Sequence, residues 1–359
     1  MKARAFSYFR ASTVEEALDA HAQGGDDARY IAGGQSLVPA LALRLQAPRR
    51  LVDINHIDEL RGVRREGEWL RIGALTRHCE MLTEPLIAEF APLLRAAAPF
   101  VAHPAIRNRG TLGGSVALAD PASEFPAVVL ALEAEIEVAG PAGRRRVRAE
   151  DFFVDLFETA LAPGELLVAV HVPLFNPGQR IAFDELARRR GDYALVGCGI
   201  SATCADDLIT DIRIAFFSVG NVPTRARRAE SEIAGSRLSP DVIAAAQAAL
   251  GEDLAPDDGD DVPAAMRLHL ARVLLGRLLG QIGGATGARS CPIWTRLTRR
   301  SASASSSTAA RRLAMSRRAT RWSIACALSS NSPARMPAAR WALAAPVWSS
   351  SMAAPSMLA

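Results

Sequence analysis

Apolar positions first recur at helical spacing just after the N-terminus. Val14, Ala17 and Leu18 open an apolar stripe, and Thr13 with Glu16 has capping-box spacing, so a helix is expected up to Gly24 and Gly25. Residues 29–32 read as a short buried strand. Gly33 and Gly34 then turn the chain, Ser36 is placed to cap a helix over residues 37–45, and residues 51–54 look like the next strand. Together they make a small α/β unit ending near residue 56. In a second unit residues 69–74 alternate like a strand, Thr76 is placed to cap a short helix, and residues 86–101 keep a helical period. A glycine-rich stretch at 107–115 interrupts it, and residues 135–138 and 166–172 are further strands, the latter closed by Pro173.

Asn176, Pro177 and Gly178 read as a linker. Beyond it come three strand-like runs at 182–187, 194–204 and 212–219, then helices at about 240–250 and 263–282. Strands followed by helices predict a separate α+β domain. The expected organisation is a first domain over 1–177, with subdomains of about 1–56 and 57–177, a second domain over 178–283, and a tail over 284–359. In the tail the apolar period is lost and Ser, Ala and Arg dominate.

Composition supports a globular body. Apolar residues are 49% and charged residues 22%, which excludes collagen, coiled coil and wholesale disorder. No apolar run in the first 283 positions reaches the length of about 18 residues that a membrane span needs, and the N-terminus has no signal-peptide core. Five cysteines, with no CxxC pair, give neither a disulfide framework nor a metal site, so a reducing cytoplasm is the expected setting. The net charge of +4 hides two compositions. Eleven of the 42 basic residues are arginines after Ala285, where acids and lysine are absent. The rest carries 31 basic against 38 acidic residues, a net of −7, which gives no electrostatic case for nucleic acid.

The strongest local chemical signal is Ala32, Gly33, Gly34, Gln35 and Ser36 between a strand and a helix. Paired glycines allow close approach of a ligand to backbone, and a helix start offers free N–H groups, which together suit a phosphate. A turn with a serine cap is the plainer alternative. Thr111, Leu112, Gly113, Gly114 and Ser115 repeat the pattern, followed by the run from Asp120 to Pro126. Two such loops suit the two phosphates of a dinucleotide, approached from opposite sides. Neither is a GxGxxG or Walker A loop. His103 is a weaker ligand candidate, the other histidines form no metal spacing, and Asp120 with Glu124 is more readily a capping arrangement than an acid/base pair. Cys198 and Cys204 share one side of a strand, and Arg144, Arg145 and Arg146 read as a solvated turn.

These motifs, in this order, resemble the FAD-binding middle subunit of molybdenum hydroxylases, the family of the carbon monoxide dehydrogenase medium chain and the xanthine dehydrogenase FAD domain. The run from Arg188 to Ala194 resembles a further motif of that family, and the likeness spans roughly residues 1–282. The resemblance implies an α+β protein: a two-subdomain FAD-binding fold of the vanillyl-alcohol-oxidase (PCMH) type, then a smaller α+β domain with a three-stranded antiparallel sheet and helices. It implies non-covalent FAD, since Gln35 stands where some relatives carry a flavin-linked histidine. The implied contacts are Ala32, Gly33, Gly34, Gln35, Ser36 and Leu37 on one side. Thr111, Gly113, Gly114 and Ser115 would close on the other, with Asp120, Glu124, Leu167, Asp192 and Tyr193 around the rest of the cofactor. Glu124 stands where the family usually has Asp, and Asp184 where xanthine dehydrogenases carry Lys, which speaks against NAD as acceptor. No catalytic residue and no metal ligand is implied in this chain. The implied partners are a molybdopterin-containing large subunit and a 2Fe-2S small subunit, and the implied role is passing electrons from the clusters through FAD to an external acceptor. A stand-alone FAD oxidoreductase of the same superfamily and a non-enzymatic assembly protein are the alternatives.

Four of the five tryptophans lie in the tail: Trp294, Trp322, Trp341 and Trp348. Reading the tail codons one base earlier permits sequences that resemble a plant-type 2Fe-2S small subunit. The tail is therefore expected to be out of frame and disordered, the alternative being an Arg/Ser-rich extension that binds nucleic acid or membrane.

Overall fold

The computed structural model describes residues 2–258 and 262–284. It opens with strand β1 (Ser7–Arg10), helix α1 (Val14–Gly24), strand β2 (Ala28–Ile31), helix α2 (Leu37–Leu43) and strand β3 (Arg50–Asp53). The strands form a parallel sheet in the order β1-β3-β2. Thr13 caps α1 by accepting from the Glu16 amide at 3.1 Å, while Glu16 reaches back to the Ser12 amide at 2.8 Å, so the box closes one residue further out than its ideal form. Helix α1 buries Val14, Ala17 and Ala20 in a core with Val52, Ile54, Leu60 and Leu75. Strand β1 has no sequence signature, because it is largely exposed and owes its form to pairing with β3. Ser36 does not cap α2: it has helical dihedrals and its side chain makes no cap bond. The helical turn already begins at Gly34, whose carbonyl accepts from the Val38 amide at 3.0 Å, and left-handed Arg44 ends the helix earlier than expected.

The second unit contains β4 (Val63–Glu66), β5 (Trp69–Gly73), α3 (Pro85–Phe90), α4 (Pro92–Ala97), α5 (Pro104–Arg107), α6 (Leu112–Leu118) and α7 (Glu124–Ala131). Then follow β6 (Glu135–Gly140), β7 (Gly143–Arg148), α8 (Ala149–Phe152), a small hairpin of β8 (Phe153–Asp155) and β9 (Glu158–Thr159), and β10 (Leu166–Pro173). The antiparallel sheet runs β4-β5-β10-β6-β7, and one face packs Leu70, Ile72, Val170 and Val172 against α4, α6 and α7. The single helix expected over 86–101 is two, because Pro92 cannot continue α3 and Ala91 leaves helical geometry. Thr76 caps no helix; the next residues form a 3₁₀ turn, Glu80–Leu82, anchored by the Arg77 amide on the Glu80 carboxylate. The arginines at 144–146 lie on β7, not in a turn, and pair with Glu59, Glu137, Glu165 and Glu135.

The C-terminal part is built on β11 (Gln179–Ala187), β12 (Ala194–Ala205) and β13 (Leu208–Phe217), joined antiparallel. Two short strands, β14 (Thr224–Arg225) and β15 (Ser236–Arg237), add to β13, and helices α9 (Arg227–Ile233), α10 (Pro240–Asp253) and α11 (Ala264–Gly283) accompany them. One sheet face, with Val196, Cys198, Ile200 and Ile214, meets Leu274, Leu275 and Leu278 of α11. Cys204 lies on that side too, partly buried. The opposite face sends Phe183, Ala194, Ala215 and Phe217 into the core of the second unit. Phe183 stacks on Phe217 at 6.0 Å and meets Phe100 at 5.2 Å. Gly197 makes room for this: a β-carbon there would sit 1.9 Å from the Phe217 ring. Among the described residues no helix is long and apolar enough to cross a membrane. The expected out-of-frame tail lies outside the described residues.

Candidate functional site

The loop after β2 carries a row of bare donors. Among the described residues, no protein group accepts from the amides of Gly33, Gly34, Gln35, Ser36 or Leu37. The segment is partly exposed, so the row opens to the surface. Gly34 turns the chain with φ +71, a conformation that favours glycine, and the Gln35 amide group folds back on the Gly33 carbonyl at 3.0 Å. Consecutive bare amides at a helix start form a seat for an anion.

Gly33 brings the two glycine motifs together. A β-carbon at Gly33 would lie 2.2 Å from the Arg109 carbonyl oxygen and 2.9 Å from Gly110 Cα, so the two backbones are in contact. The second motif is not a second row of bare amides, however. Thr111 is the N-cap of α6 and accepts from the Gly114 amide at 3.1 Å, and Ser115 donates to the Thr111 carbonyl at 3.0 Å. The Leu112 and Gly113 amides donate to Thr76 and Ala74, both at 2.9 Å. The expected grip by amides from both flanks is therefore corrected: this pair docks a helix onto the strand end. Gly113 is buried there, where a β-carbon would lie 2.5 Å from that of Ala74. Gly114 is exposed beside it, and the Ser115 hydroxyl pairs with that of Ser123 at 2.7 Å.

Two residues not singled out in the sequence hold these loops in register. Asn55 donates to the Ala32 carbonyl at 2.7 Å and to Asp53 at 2.7 Å. Arg77 donates to the Asn55 side-chain oxygen at 2.9 Å and also to the Arg109 carbonyl. One guanidinium thus ties the first loop to the second. The cue in the sequence is Asn55 two residues after Asp53, the last residue of β3. Arg61 and Arg109 lie close enough to Arg77 to act on its charge, with Glu80 opposing them.

Three acids, Asp120, Glu124 and Glu185, gather at the junction with the C-terminal sheet. Asp120 accepts from the Ala122 amide at 2.9 Å, as expected of a capping residue, and burial raises its pKa. Glu124 starts α7 and is buried. Burial, with Asp120 adding to it, pushes its carboxyl up to about 7 against the opposing pull of Arg107. Glu185 on β11 lies on the same strand side as Phe183, beside an aromatic cluster, and its Oε2 is buried without a partner. Burial first, then Glu124 and Asp184, raise it to about 8.

The remaining expected residues fall in different places. Asp192 accepts from Arg189 at 3.0 Å and from the Tyr193 amide at 3.1 Å in the loop joining β11 and β12. Gly191 seats this loop against His103, whose ring a β-carbon at Gly191 would approach to 2.8 Å. Tyr193 is 70% exposed as a residue. Burial raises its pKa, and Asp120, Glu124 and Asp192 add to the rise, so the ring stands within electrostatic reach of these acids. Leu167 is instead a core residue, 4% exposed, because β10 is the central strand and is covered on both faces. The bare amide row and the glycine contact fit a dinucleotide diphosphate.

Comparison with known proteins agrees with this geometry. Residues 4–175 match the FAD binding domain in molybdopterin dehydrogenase, and residues 181–282 match the CO dehydrogenase flavoprotein C-terminal domain. The 6-hydroxypseudooxynicotine dehydrogenase complex subunit alpha of Paenarthrobacter nicotinovorans is 41% identical over 282 residues, 78% of this chain and 95% of that protein. The carbon monoxide dehydrogenase medium chain of Hydrogenophaga pseudoflava is 38% identical over 258 residues, 70% of this chain and 90% of that protein. Among solved structures, quinoline 2-oxidoreductase from Pseudomonas putida 86 aligns with a TM-score of 0.75 at 37% identity, covering 79% of this chain and 99% of that one.

Proposed function

The chain belongs to the FAD-binding subunits of the molybdopterin dehydrogenases, and from that membership we propose that it is the electron-transferring flavin subunit of a molybdenum hydroxylase. Its partners are a molybdopterin-containing large subunit and a 2Fe-2S small subunit, and it works in the cytoplasm. FAD, when bound, supplies the redox centre that accepts electrons from the clusters and passes them to an external acceptor. The protein's own residues bind and orient. The observation that carries this reading is the bare amide row from Gly33 to Leu37, set against the Arg109–Gly110 backbone.

The amide row takes the diphosphate, with Ala32 held in place by Asn55. Gly114 and Ser115 form the facing wall, supported from behind by buried Thr111 and Gly113, and exposed Gly114 faces the ligand without donating an amide of its own. Tyr193 and Asp192 lie at the flavin end, with Tyr193 in electrostatic reach of Asp120 and Glu124, and Leu167 acts from behind through the core. Gln35 offers no nucleophile for a covalent flavin link. The relatives are named for a nicotine derivative, carbon monoxide and quinoline, three unlike substrates on one shared fold. Substrate choice therefore resides in the large subunit.

Gly114→Asp tests the reading. A β-carbon at Gly114 would lie 2.8 Å from the Thr111 hydroxyl, which must shift slightly, but an acidic residue in a first helical turn offsets this, and its charge beside the diphosphate repels it. The variant is expected to fold with unchanged circular dichroism and to lose most of its bound flavin. Full flavin content in a folded Gly114→Asp chain would sink the assignment of this wall.

A further inference from the structure

The outer face of the β4-β5-β10-β6-β7 sheet, turned away from the helices, carries a polar centre that the flavin reading does not use. Arg71 on β5 and His171 on β10 are cross-strand partners and are 2% and 1% exposed. Arg71 Nε donates to Glu137 at 3.3 Å and His171 Nε2 meets the same oxygen at 2.8 Å. Arg71 Nη1 and His171 Nδ1 are buried with no partner. The nearest carboxylate to His171 Nδ1, that of Glu66, is 3.9 Å away, beyond hydrogen-bond reach.

Both side chains line a cavity of about 340 Å³. Its wall carries five guanidiniums, from Arg64, Arg71 and the arginines at 144–146, against the carboxylates of Glu66 and Glu137. Arg145 and Arg146 pair with Glu165 and Glu135, which stand outside the wall. Glu137 is already shared among His171, Arg71 and Arg144. An orphaned nitrogen on a buried guanidinium costs free energy unless an acceptor reaches it. The space is several times the ~30 Å³ share of one liquid water, and a guanidinium fork matches the oxygens of phosphate.

We propose that this cavity binds a small oxyanion of the phosphate class, ringed by the β7 arginines, with Arg71 Nη1 donating to an anion oxygen and the anion's own P–OH donating to His171 Nδ1, whose Nε2–H is committed to Glu137. The anion cross-links β5 and β10 to the edge strands from the face opposite the flavin domain's core.

Equilibrium dialysis of the full chain against labelled inorganic phosphate, in excess chloride at constant ionic strength, reads this directly. One saturable phosphate per chain is expected. Competition by glycerol phosphate separates two sources: stronger competition than by phosphate assigns the site to a phosphomonoester, and weaker competition to the free ion. Arg71→Met keeps the apolar stem and should weaken uptake roughly ten- to a hundredfold. Glu66→Gln removes a wall carboxylate and frees Arg64 from its 2.6 Å ion pair, so it should tighten uptake, which keeps the test valid if Arg71→Met fails to fold. Flavin content of Glu66→Gln should be unchanged, so this result stands apart from the flavin reading. No saturable uptake by the native chain, or uptake that Glu66→Gln leaves unaltered, overturns the proposal.

Discussion

Gly33 has no space for a methyl group, since the Arg109 carbonyl oxygen would lie 2.2 Å from it. Gly33→Ala must therefore part the two loops. The expected outcome is a folded chain whose flavin-to-protein ratio drops severalfold, read by absorbance after gel filtration. Gly33 and Gly34 were legible in the sequence because paired glycines have a local meaning. Asn55 and Arg77 were not, because their partners are backbone carbonyls reached only through folding. Glu185 was missed for a related reason: nothing in its neighbours along the chain shows that β11 turns it toward Glu124. Both carboxyls bind protons more tightly folded than unfolded. Their contribution is fully present below the ordinary value of 4.5 and is lost as pH rises through about 7 for Glu124 and about 8 for Glu185. Urea midpoints should fall between about pH 5 and about pH 9. Glu185→Gln should flatten that fall, and an equally steep fall in the variant would count against the coupling.

At the level of elements, a short pattern can serve two different ends. The two glycine pairs read alike, yet one precedes a helix with its donors open and the other lies inside the first turn of α6. What separates them is Thr111, whose hydroxyl caps the turn, and Ala74, which leaves Gly113 no room for a side chain. Gly→Ala inside a helix ordinarily stabilises by about 0.5–1 kcal/mol. Gly113→Ala should instead destabilise by about 1–3 kcal/mol through overpacking, measured by urea titration; a more stable variant would refute the docking role. Helix α1 was legible from its cap and period, and α10 and α11 lie where helices were expected, at about 240–250 and 263–282. Helix α7 was hidden because all eight of its residues are buried, so it has no polar face to mark a period. The exposed edge strands β4 and β7 were hidden for the opposite reason, being almost wholly polar.

For the molecule as a whole, the two family segments share a core. Phe183 and Phe217 belong to the C-terminal sheet but are buried among Leu93, Val128 and Phe125 of the first segment. Glu133 adds ion pairs to Arg213 and Arg225 across the same junction, and the Ser218 amide donates to the Pro121 carbonyl at 2.8 Å. Two segments joined this way should unfold together. Far-ultraviolet circular dichroism and flavin release should give coincident urea curves, and two separated transitions would show that the junction is weaker than its packing suggests. The run from Asn176 to Gly178 reads as a linker, but the merging of the cores across it was not legible, because strand alternation says which residues share a face and not what covers that face.

The contact between Gly33 and Arg109 also sets an order of events during synthesis. A ribosome that has released the first strand-loop-helix has made every donor of the seat but not its opposite wall. On the proposed assignment of this loop, coenzyme capture waits until the chain beyond Gly110 has emerged and come back over it, which makes loading a late step in the life of the nascent polypeptide.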